Sequence, residues 1–125
     1  MFKINDDKSI FITRGDIARF SVGISVGDSG EPYVFQPGDV VRFKVFEKKA
    51  CDCVVLQKDV AVEREVEYVG IGLTSEDTRI GEVINKPTEY WYEVELNPDT
   101  APQTVIGYDE RGAKVFRLFP EGKVG

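Results

Sequence analysis

Glu89, Glu93 and Glu95 share one face of an alternating segment with Trp91, while Tyr90, Tyr92, Val94 and Leu96 take the other. Positions i and i+2 of a strand stand roughly 6.5 to 7 Å apart, close to the separation at which paired acids hydrolyse glycosides with inversion. An indole beside them is a sugar-stacking side chain, so a carbohydrate-binding β-sandwich module or a small glycosidase is the alternative reading of this face. Charged strand faces more commonly keep sheets from pairing edge to edge or aggregating, and that reading is preferred. Trp91 is then an aromatic on a wet face, to be covered by a loop or a partner. With Val40 and Phe46, which close the two ends of the wetter face of another strand, it forms the expected protein interface: Trp91, Val40 and Phe46.

Other reactive groups are sparse. The chain holds no histidine, which removes the commonest general base near neutral pH and every Ser-His-Asp or Cys-His nucleophile in its usual form. No catalytic residue is assigned, and the chain is read as not an enzyme. Cys51 and Cys53 flank Asp52; in extended geometry their thiols lie too far apart for a relaxed disulfide, so free thiols are expected. Asp52 raises a neighbouring thiol's pKa, which argues against a nucleophile. Two Cys and one Asp leave a zinc site incomplete, and neither Asp6-Asp7 nor Asn97-Pro98-Asp99 follows the calcium-loop pattern. No metal or cofactor is expected. Arg14-Gly15-Asp16 is read as a corner between strands rather than an integrin motif.

The elements that place these residues alternate with period two. Ala18 to Val26 sets Ala18, Phe20, Val22, Ile24 and Val26 against Arg19, Ser21, Gly23 and Ser25, which gives a strand with one dry face. Val40 to Glu47 puts Val41, Phe43 and Val45 inward. Cys53 to Val62 has Val54, Leu56, Val60 and Val62 in phase, with Lys58 as a conflict that predicts a bulge or strand end near Gln57 to Asp59. Gln36-Pro37-Gly38-Asp39 fits a type II turn. Thr74 or Ser75 is placed to cap one short helical turn through Thr78 to Ile80. Thr104 to Tyr108 and Ala113 to Phe119 are expected to close as a hairpin. About seven to nine short strands predict an all-β, two-sheet sandwich with one short helical turn, with a small closed barrel as the alternative.

The 125 residues form one domain, 1–125, by size. Net charge is −6 with a pI near 4.7, so a phosphate backbone is repelled and nucleic acid is not an expected partner. No apolar run approaches a membrane span, and Met1 to Lys8 lacks the features of a signal peptide. Residence in a cytosol follows, with no membrane partner.

The series Ser9 to Asp16, Gly30-Glu31-Pro32-Tyr33 and Gly38 to Val45 resembles the amino-terminal domain of phage baseplate upper proteins. Tyr90 to Leu96 and Phe119-Pro120-Glu121-Gly122 are similar to prophage tail proteins of Gram-positive bacteria. The resemblance implies an immunoglobulin-like sandwich and a structural, non-enzymatic docking module of a virion tail. Its partners are tail proteins, with self-association included. It assembles in the bacterial host cytoplasm and then resides in the virion tail. Those baseplate proteins continue into long segments, whereas this sequence ends at Gly125, so a small stand-alone tail or prophage component is expected.

Overall fold

The computed structural model describes residues 1–26, 30–48, 53–107 and 112–121. Among them the strands are β1 (Phe2–Ile4), β2 (Ile10–Thr13), β3 (Ala18–Val22), β4 (Ser25–Val26), β5 (Glu31–Pro32), β6 (Val40–Phe46), β7 (Val54–Ala61), β8 (Val69–Leu73), β9 (Thr88–Leu96), β10 (Gln103–Ile106) and β11 (Lys114–Phe119). The fold is all-β, with no helix among the described residues. A seven-stranded sheet runs β1-β2-β11-β9-β6-β7, with β10 also on β9. The second layer consists of two ribbons, β3–β8 and β4–β5. This is a sandwich-like arrangement.

Period-two patterning decides which side of each strand is dry. Val41, Phe43 and Val45 of β6 and Val94 of β9 are fully buried, as are Phe116 and Leu118 of β11. Ala18 and Val22 of β3 and Val69, Ile71 and Leu73 of β8 close the core from the other layer. Phe43 sits at the junction: its ring meets Phe20 from the opposite layer at 5.6 Å, edge on, and Tyr92 and Phe116 of its own sheet at 5.6 and 6.3 Å. Buried aromatic contacts of this kind contribute beyond their area, which makes Phe43 the pin between layers. The parallel pairing of β2 with β11 ties the two ends of the chain side by side.

Several expectations are refined. The Ala18 to Val26 strand divides into β3 and β4 at Gly23-Ile24, where the Ile24 carbonyl accepts from the Tyr33 amide at 2.7 Å. The Gln36 to Asp39 turn forms, closed by Asp39 N–H to Gln36 O at 3.0 Å, with Gly38 at φ +95° as its third position requires. No helical turn forms after Thr74. Its hydroxyl accepts from the Asp77 amide at 3.1 Å and Asp77 accepts from the Thr74 amide at 2.8 Å, so the reciprocal cap is made. It closes a turn that does not propagate, because one turn cannot recover the entropy of helix nucleation.

The expected conflict at Lys58 does not interrupt β7. Pairing with β6 is regular from Leu56 to Ala61, and the irregularity lies at Val45/Phe46, opposite Val54 to Leu56. Lys58 reaches Asp77 at 2.9 Å, so the inward charge is met by an acid of the Thr74 turn. The closing hairpin is also corrected. β10 pairs with Val94 to Leu96 and β11 with Thr88 to Tyr92, both antiparallel and both on the edge of β9 opposite β6. They are two pieces of one line along β9, and residues 108–111 between them lie outside the described residues.

Candidate interaction face

The outer face of the large sheet is built by the alternate residues of β6, β9 and β11 that do not enter the core. Register across the three strands is explicit: Phe46 stands opposite Trp91, and Trp91 opposite Val115. All three are half-buried. They make one apolar row perpendicular to the strands. Val40 lies on the same face of β6 but six residues from Phe46, about 20 Å along a strand. It pairs with Ala61, and its amide donates to Asn97 Oδ1 at 2.8 Å. Two of the three expected interface residues are therefore brought together and the third is not.

Val115 was not singled out from sequence. Its neighbours Ala113 to Phe119 announced a strand, but only the β9–β11 register reveals which residue meets Trp91.

Charged ladders border this row. Lys44 lies between Glu93 and Glu95, at 3.2 and 2.6 Å, and its ammonium sits 5.4 Å from the centre of the Phe46 ring. Burial works against the Lys44 charge, but the bonds to Glu95 and Glu93 outweigh it and hold its pKa above the ordinary lysine value. Glu95 Oε1 is shut off from solvent, and the ammonium contact compensates its charge. Arg42 grips both carboxylate oxygens of Asp59, at 2.8 and 3.0 Å, and reaches Asp99 at 3.1 Å. The Arg42 bond holds the Asp59 carboxyl below its usual range. On the far side Arg117 pairs with Glu89 and lies 5.2 Å from the Phe11 ring, which in turn contacts Phe119 at 5.4 Å.

The acids that sequence spacing offered for glycoside chemistry are thus each engaged by a cation: Glu89 by Arg117, and Glu93 and Glu95 by Lys44. Arg14 of the Arg14-Gly15-Asp16 corner is buried and donates to Ile80 O at 3.3 Å, Glu121 Oε1 at 2.9 Å and Gly81 O at 2.8 Å. Asp16 pairs with the amino terminus, and Gly15 turns the corner at φ +87°. These side chains are spent on the fold.

Cys53 is disulfide-bonded, which corrects the free-thiol expectation. It lies just before β7, outside any strand; Cys51 lies outside the described residues. Among the described residues no group of three or more acids, cysteines or histidines is placed to hold a metal ion. No family model, no curated protein and no solved structure matches this chain.

Proposed function

We propose that this chain is a non-enzymatic docking module of a phage or prophage tail, of baseplate type, built on an immunoglobulin-like sandwich and acting through protein–protein contacts. The row Phe46–Trp91–Val115 carries the reading, because an aromatic-centred apolar strip rimmed by ion pairs is the composition of an interface core and its polar rim. The commitment of Glu89, Glu93 and Glu95 to cations supports docking over sugar hydrolysis. The finer fold assignment draws support from the aromatic pin between layers and from the side-by-side pairing of β2 with β11. Assembly takes place in the bacterial host cytoplasm, and the mature location is the virion tail.

The test is co-elution of the purified chain with the products of its neighbouring genes, beside a glycan array. Wild type is expected to co-elute with at least one tail protein, and Trp91→Ser is expected to weaken that contact at least about tenfold, as for a central interface aromatic. Sugar binding that depends on Trp91, without any protein partner, would falsify the proposal.

A further inference from the structure

The last strand of the large sheet, β7, has eight residues, contains no proline and, among the described residues, has β6 on one side only. Which of its backbone groups face outward follows from the bonds at its end. Val62 N–H donates to Asp39 O at 2.8 Å and Val62 O accepts from Gly38 N–H at 3.0 Å, so the backbone of Val62 is turned toward the β6 side. Alternation turns Val60, Lys58 and Leu56 the same way and directs the N–H and C=O of Gln57, Asp59 and Ala61 outward. The next strand pair agrees: Val40 O accepts from Asn97 N–H at 2.7 Å, leaving Val41, Phe43 and Val45 to bond Val60, Lys58 and Leu56. Among the described residues no strand pairs with this outer edge.

We propose that the outer edge of β7 accepts an extended segment of another polypeptide as an added strand, with an acidic side chain opposite Lys58 and aliphatic ones opposite Leu56 and Val60. The inward-facing positions of β7 set this pattern. Leu56, Lys58 and Val60 are half-buried and share a face. Lys58 meets Asp77 at 2.9 Å, which uses one of the three ammonium donors. Beyond Val60 the edge opens into a cleft of about 410 Å³ whose wall combines Val62, Val66, Tyr68 and Val69 with Glu63 and Arg64, and its apolar part takes the aliphatic side chain at that end. Outward N–H and C=O groups supply the binding and the alternate side chains supply the selectivity.

A second copy of β7 does not fit this edge. With faces matched, the central antiparallel register sets Lys58 against Lys58, and shifts of two residues set it against Leu56 or Val60. Asp59 is the only acid of the strand and lies on the other face, gripped by Arg42. Like charges directly opposite destabilise a pair, so the edge selects against itself and for a different, acidic strand. This surface is separate from the Trp91 row, and its test reads separate residues.

The probe is a capped seven-residue peptide with threonine at alternate positions and valine, glutamate and valine between them, the same read in either direction. It is titrated into the full, ¹⁵N-labelled chain and followed by amide shifts. Binding is expected to move the signals of Gln57, Asp59 and Ala61, and a lysine-centred peptide is expected to bind at least about tenfold more weakly. N-methylation of the threonine amides, which face β7, is expected to abolish the shifts, while methylation of the other set is tolerated. Ala61→Pro removes one outward N–H at an edge position that accepts proline and is expected to lose binding with the fold intact; should it not fold, the methylated peptides decide alone. No shift at Gln57 to Ala61 at millimolar peptide, a lysine-centred peptide binding within twofold, or tolerance of both methylation patterns overturns the proposal.

Discussion

Arg14 donates to the backbone carbonyls of Ile80 and Gly81 and pairs with Glu121, joining a corner, a loop and the end of the chain through one planar group. Arg14→Met keeps much of the stem but leaves those buried-side acceptors without donors, so a loss of about 2–4 kcal/mol is expected in urea unfolding. A loss under about 0.5 kcal/mol would remove the strap role. Asp39 is the comparable hub at the other end. It accepts from Tyr33 Oη at 2.8 Å, the Gln36 amide at 2.9 Å and Asn97 Nδ2 at 3.1 Å. Burial raises its pKa, but the bonds from Gln36, Asn97 and Tyr33 outweigh burial and hold it below the ordinary aspartate value. A folded-state pKa below the unfolded one means that the unfolded chain binds more protons in acid, so this contribution is present above about pH 4 and lost as pH falls through the folded value. The stability gap between wild type and Asp39→Asn is therefore expected to be full at pH 7 and to shrink toward pH 2 in parallel urea titrations. A gap that widens in acid would assign the wrong sign to this site.

The chain just past the end of β10 packs closely against its own strand. Gly107 is buried at the point where the chain leaves β9, and a Cβ there would stand 2.6 Å from Thr104 Cγ2. Gly107→Ala is expected to cost about 1–3 kcal/mol by overpacking, and Thr104→Ser, which deletes the opposing methyl, is expected to restore most of it. Strictly additive effects in the double variant would contradict the contact. Elements of this kind mark the limit of what period two conveys. Strands β6 and β9 were legible because Val41, Phe43, Val45, Tyr92, Val94 and Leu96 alternate without interruption. The pairing of β10 with β9 rather than β11 was not, since alternation fixes a strand's faces and says nothing of its neighbour. Lys58 read as a break for the same reason: its answering charge, Asp77, lies 19 residues away in sequence and becomes visible only once β7 and the Thr74 turn are in place. Of the two caps expected for that turn, Thr74 and Ser75, Thr74 is the one that accepts an amide, and the helix it was expected to start is not formed.

At the level of the whole molecule, the two layers hide one set of alternate residues and leave the large sheet with an outer face of its own. Trp91 and Phe46 were legible as residues of that face from their strands alone, whereas their adjacency and the addition of Val115 depend on register. The chain contains a single tryptophan, and it stands in the middle of the row on which the docking reading rests. Replacing it with 5-fluorotryptophan gives one ¹⁹F resonance that reports on this face and no other. On titration with a protein found to co-elute with the chain, the resonance is expected to shift or broaden in step with complex formation. A complex that forms fully while the Trp91 resonance keeps its free position and width would contradict docking through this face.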